Sequence, residues 1–162
     1  MIKKKICLLG AFSVGKTSLI QQFVESIFDD KYLTTIGVKI TKKDVSLDDK
    51  NFTLMIWDLA GEDDYTEMKG AYLRGSAAYV VVVDATRPHT VDVALSLHER
   101  ASKLLKNPPF VFAINKTDLS AERTITREQE KDLRRLGPVF ETSAKTGKNV
   151  DELFLSITGY LS

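Results

Sequence analysis

Gly10-Ala-Phe-Ser-Val-Gly-Lys-Thr17 decides how the rest of this 162-residue chain is read, because the pattern GxxxxGK[ST] lies between an apolar run and a helical periodicity. Before it, Ile6-Cys-Leu-Leu9 reads as a buried strand; after it, Leu19, Phe23 and Ile27 recur at helical spacing. Strand, glycine loop and helix therefore follow in the order that gives such a loop a mechanical role. Gly10 and Gly15 let the backbone turn so that the N–H groups of Ser13, Val14, Gly15, Lys16, Thr17 and Ser18 can approach phosphate oxygens, with the helix start adding its positive dipole end. Lys16 would reach the terminal phosphates, and the Thr17 hydroxyl would hold Mg²⁺.

Outward from the loop, the chain alternates between strand and helix signals. Residues 38–47 and 52–57 read as two strands joined by the polar turn Asp48-Asp-Lys-Asn51. Residues 77–83 form a continuous apolar run, the mark of a strand covered on both faces. Ala94, Leu97, Ala101 and Leu104 mark a helix that stops before Asn107-Pro-Pro109, and 110–114 is the next strand. Thr126 with Gln129 spells a capping box for a helix ending near Gly137-Pro138. Val139-Phe140 begins a last short strand, and Asn149 with Glu152 is expected to cap a final helix whose Val150, Leu153, Phe154 and Ile157 share one face. This order predicts an α/β fold: a three-layer, mostly parallel sheet with one antiparallel hairpin at its edge, ligands sitting beyond the carboxyl ends of the strands. Residues 1–162 are expected to form a single domain.

Composition narrows the function classes. Hydrophobic residues make up 43% and charged residues 28%, ordinary for a globular protein, and a net charge of +1 gives no electrostatic case for nucleic acid. The single cysteine, Cys7, excludes an internal disulfide and fits a reducing, cytoplasmic setting. No signal-peptide core, no bilayer-length apolar run and no prenylatable terminal cysteine is present, so the chain is expected to carry no lipid anchor.

Three further motifs follow strands. Asp58-Leu-Ala-Gly61 gives DxxG, in which Asp58 would meet Mg²⁺ through water and Gly61 would set its N–H on the γ-phosphate. Asn115-Lys-Thr-Asp118 fits NKxD, and Ser143-Ala-Lys145 follows the last strand. With these motifs in order over nearly its whole length, the chain resembles the Ras superfamily of small GTPases, the Rab-like branch most closely. Trp57-Asp-Leu-Ala-Gly61, Thr35-Ile-Gly37 and Tyr72-Leu-Arg-Gly75 are similar to the Rab versions.

The resemblance implies a P-loop G domain with six strands and about five helices, GTP/GDP and Mg²⁺ as ligands, and a monomeric switch met by effector, exchange-factor and activating proteins. The Asp118 carboxylate would accept from the guanine ring N–H and amine; adenine would leave it unmatched, a mismatch that can reach roughly 10⁴ in discrimination. By resemblance Asn115 braces the loops, the Lys116 stem lies over the base, and the Ala144 N–H meets the guanine oxygen, beside Ser143 and Lys145. Switch I would run from Phe28 to about Ile40, with Tyr32 closing over the phosphates and Thr35 offering a second hydroxyl to Mg²⁺ only while the γ-phosphate is present. Phe28 fits either an aromatic against the base or simple core packing. Of three apolar side chains that form an effector surface in Rab relatives, Trp57 and Tyr72 match two and Ile40 replaces a usual phenylalanine; each fits a role in the fold equally well.

Two positions depart from the family pattern. Glu62 stands where the family usually has the glutamine that orients the attacking water; an ionised glutamate cannot donate, and Asp63 and Asp64 add negative charge. Phe12 stands where a small residue usually faces the γ-phosphate; its ring would obstruct a water or an inserted arginine, or fold outward. No arginine lies between residues 28 and 40. Slow GTP hydrolysis is therefore expected, with Lys16, Thr35, Gly61 and Glu62 as the catalytic set; the contrary reading is that Glu62 acts as a base or turns outward, with water positioned by another group. The alternatives are a non-hydrolysing GTP-bound scaffold and, disfavoured by Asn115 to Asp118, an ATP-using phosphotransferase.

Overall fold

A computed structural model describes residues 1–29, 37–60 and 67–162. In it β1 (Ile2–Gly10) leads through the glycine loop into α1 (Lys16–Glu25), followed by β2 (Val38–Leu47), β3 (Lys50–Leu59) and α2 (Glu67–Leu73). The remainder is β4 (Ala78–Asp84), α3 (His89–Leu105), β5 (Phe110–Asn115), α4 (Arg127–Leu136), β6 (Val139–Glu141) and α5 (Val150–Gly159). The strands form one six-stranded sheet in the order β2-β3-β1-β4-β5-β6. Among the described residues only β2 with β3 pairs antiparallel, at the sheet's edge. The α/β class, the six strands and the five helices match expectation.

The period of two along a strand sorts the core into two layers. Ile6 and Leu8 of β1, with Ala78, Val80 and Val82 of β4, face Leu19, Phe23, Phe154 and Ile157 of α1 and α5. Their neighbours Cys7, Leu9, Tyr79, Val81 and Val83 face α2, α3 and α4 through Leu73, Val91, Ala94, Leu97 and Leu133. Both faces of β4 are therefore covered, and all seven of its residues are buried, which is why its sequence is unbroken apolar. Among the described residues no helix is long and apolar enough to cross a membrane.

Three local expectations are corrected. Helix α1 ends at Glu25, with Ser26 in the left-handed region at φ 57, so Ile27 leaves the periodicity and is 49% exposed. The turn between β2 and β3 is two residues long: Asp48 and Asp49, at φ 50 and 63, close it and Lys50 is already strand. Asn149 stands at the start of α5 without capping it by its side chain; at φ 57 its Nδ2 instead donates to the Glu141 carbonyl at 2.8 Å, tying α5 to β6. The Thr126–Gln129 capping box on α4 is formed in both directions, at 2.9 and 3.1 Å.

Candidate functional site

Strand β1 lies between β3 and β4, so the connections leaving it diverge and a crevice opens at its carboxyl end. The carboxyl ends of β1, β3, β4, β5 and β6 supply Gly10–Thr17's loop, Asp58, Asp84, Asn115 and Thr142 with Ser143. The loop itself departs from ordinary backbone: Ser13 sits at φ 63 and Gly15 at φ 101. A Cβ on Gly15 would lie 2.3 Å from Asn115 Nδ2, so the glycine is required by close approach as well as by φ.

Lys16 is only 6% exposed and its Nζ donates to the Gly10 and Ala11 carbonyls, each at 3.3 Å. Burial pulls its pKa down to about 8, opposed by Asp58 and reinforced by the positive charges of Lys69 and Arg87. The Thr17 hydroxyl donates to Asp58 Oδ2 at 2.5 Å, and Asp58 is 1% exposed. A hydroxyl and a carboxylate oxygen in contact are the hard donors Mg²⁺ prefers. Among the described residues no group of three or more His, Cys, Asp or Glu side chains could cage a metal.

At the opposite end of the crevice Asn115, also buried, binds in three directions. Its Nδ2 donates to the Val14 carbonyl at 3.0 Å, while its Oδ1 accepts from the Thr142 hydroxyl at 3.1 Å and the Ala144 N–H at 3.2 Å. The phosphate loop and the 143–145 loop are thus joined through one amide. The Ala144 bond is long, and a guanine oxygen would compete for that N–H. Lys116 Nζ donates to the Ser13 carbonyl at 2.9 Å. Ser143 Oγ donates to Asp118 Oδ1 at 2.8 Å and accepts from the Thr146 N–H at 3.1 Å, which orients the exposed Asp118 carboxylate.

Ser18 lies in the first turn of α1, partly buried, and Lys145 is exposed. Phe28 is 38% exposed and belongs to neither core cluster, so core packing does not account for it. Phe12 is 45% exposed. Tyr32, Thr35, Gly61 and Glu62, with Asp63 and Asp64, lie outside the described residues. Ile40 pairs across the hairpin with Trp57, the Trp57 and Tyr72 rings are 6.3 Å apart, and Lys5 Nζ stands 3.7 Å above the Trp57 ring. These three side chains form one partly exposed surface.

Sequence reasoning missed Asp84, Arg87, Thr142 and Lys69. Asp84 is 1% exposed and accepts from Thr86 twice, from Arg87 Nε at 2.9 Å and from Lys116 Nζ at 2.8 Å. Burial pushes its carboxyl up, but the hydrogen bonds from Lys116 and Thr86 outweigh that and hold it below the usual range. An acid closing an apolar strand and followed by Thr86-Arg87 was the available signal. Lys69, 5% exposed on a helix beyond residues 61–66, left none.

The comparisons with known proteins agree on one kinship. The profile of the Ras family matches residues 5–161. The chain is 36% identical over 163 residues to the Ras-related protein Rab7 of Glycine max, covering 94% of this chain and 79% of that protein. It is also 36% identical over 164 residues to the Ras-related protein Rab-7b of Paramecium octaurelia, covering 94% and 78%.

Proposed function

Since this chain belongs to the Ras family and is a Rab-like, GTP-binding GTPase, we propose that it is a Mg²⁺-dependent switch whose own hydrolysis is slow. The reading rests above all on Asn115, whose single amide joins the carbonyl of Val14 in the phosphate loop to the N–H of Ala144. Base recognition and phosphate recognition are then parts of one rigid site. Asp118, oriented by Ser143, accepts from the guanine N–H groups, and the Lys116 stem covers the base. Loop N–H groups from Ser13 to Ser18 and the Lys16 ammonium take the phosphates.

Thr17 and, through water, Asp58 would hold Mg²⁺, and Thr35 would join them while the γ-phosphate is bound. When bound, the ion would supply positive charge against the negative charge that builds on the phosphates during transfer. Lys16 and the Gly61 N–H stabilise the same charge by position, without covalent chemistry. Thr35 and Gly61 contact the γ-phosphate only when it is present, so its loss frees both segments, and partners read that difference through switch I and switch II. Ile40, Trp57 and Tyr72 are the apolar surface offered to an effector.

Glu62 is the limiting defect in hydrolysis: it cannot donate to the attacking water, and its charge opposes the γ-phosphate. Protein loaded with GTP and Mg²⁺ is followed through a single turnover, beside Glu62→Gln. Wild type is expected to form GDP over minutes to hours, and Glu62→Gln to be roughly tenfold faster. An unchanged or lower rate in Glu62→Gln removes glutamate as the defect. GTP persisting for days in the wild type assigns a GTP-bound scaffold, and adenine nucleotide copurifying with the protein removes guanine specificity.

A further inference from the structure

Two successive carbonyls of the phosphate loop are gripped by cations from outside it. Lys116 Nζ donates to the Ser13 carbonyl at 2.9 Å, and Arg87 Nη2 donates to the Phe12 carbonyl at 2.6 Å. Both cations lean on one oxygen: Asp84 Oδ2 lies 2.8 Å from Lys116 Nζ and 2.9 Å from Arg87 Nε. The other oxygen, Oδ1, accepts from the Thr86 N–H at 2.8 Å and its hydroxyl at 2.7 Å. Asp84 is therefore saturated and fixed, and it fixes both cations in turn.

The loop needs such support. Ser13 is a non-glycine residue held at φ 63, and conformations of this kind persist only where surrounding contacts over-determine them. For a run of N–H groups to converge on an anion, the loop's carbonyls must be held away from it. A cation on the Phe12 carbonyl does this at the loop's leading half, as Lys116 does one residue later. Arginine suits the task at Phe12, because its rigid fork presents Nε to Asp84 and Nη2 to the carbonyl in one fixed geometry, whereas a lysine at this position would have to bring a single ammonium on a flexible stem to both, as Lys116 does one residue later. Nε and Nη2 are thus engaged together, one on Asp84 and the other on the loop carbonyl.

We propose that Arg87 is a positioning residue which, anchored on Asp84, holds the phosphate loop at Phe12 in its anion-binding shape and so slows nucleotide release. This rests on the guanine-nucleotide reading above. The test measures release of a fluorescent GDP analogue from Mg²⁺-loaded wild type, Arg87→Ala and Arg87→Lys, together with ³¹P NMR of bound GDP. Arg87→Ala is expected to release the analogue about tenfold faster, the loss of one charge-assisted hydrogen bond. Its bound-GDP phosphorus resonances are expected to shift, and Arg87→Lys to behave like Arg87→Ala. Wild-type release with unmoved resonances in Arg87→Ala overturns the proposal. Full rescue by Arg87→Lys also overturns it, since charge alone would then suffice. Failure of the wild type to bind the analogue at all removes the nucleotide reading itself, and the proposal with it.

Discussion

Lys16 shows at the scale of one residue how a binding site is held ready at a cost. Its folded-state pKa of about 8 lies below the ordinary 10.5, so between those values the unfolded chain carries the extra proton. Stability from this group alone therefore rises with pH across that window. Nucleotide binding runs the other way, because a phosphate against the ammonium favours its charged form. Above about pH 8 GDP binding is expected to take up a proton at Lys16, and affinity to fall as pH rises. Calorimetry at pH 9 in two buffers of different ionisation enthalpy measures this, and equal heats in both would contradict it. Gly15 is the second sensitive position: Gly15→Ala places its methyl 2.3 Å from Asn115 Nδ2 and strains φ 101. GDP binding, followed by filter retention, is expected to weaken at least about tenfold.

Helix starts differ at the scale of the element even where their sequences look alike. Thr126 lies in extended backbone at φ −88 and accepts from the Gln129 N–H, while the Gln129 side chain answers the Thr126 N–H. Thr126→Ala is expected to lower stability by about 1 kcal/mol, read by urea unfolding. Asn149 with Glu152 has the same spacing, yet Asn149 adopts the left-handed region and spends its amide on the Glu141 carbonyl. The difference lies in what each residue packs beside: β6 presents Asn149 with a buried-edge carbonyl three-dimensionally close and eight residues away in sequence. A local pattern finds the place where a helix begins. It does not find the partner of the residue standing there.

Across the described molecule, one sheet positions the described loops of the site and two helical layers hold that sheet. Phe154 of α5 is fully buried and stacks on Phe23 of α1 at 4.2 Å, closing one layer beneath the phosphate loop's helix. Phe154→Ala is expected to cost about 3–5 kcal/mol, seen as a lower midpoint in thermal unfolding. Much of this architecture was legible in advance, since hydrophobic periods of 2 and 3.6 and the glycine, proline and capping signals are local properties of the chain. The sequence by itself determined the class of fold, the strand-to-loop order and the residues of the four motifs, because each motif's chemistry is carried by residue types at short, constant spacing. Only the tertiary structure decided that Asn115 bridges the two loops and that Ile40, Trp57 and Tyr72 share a surface. It alone revealed Asp84 with Arg87 and Lys116 on the carbonyls of Phe12 and Ser13. Those contacts join residues up to 103 positions apart, and a pairing between a side chain and a distant backbone carbonyl leaves no trace in the identity of the residue that supplies the carbonyl.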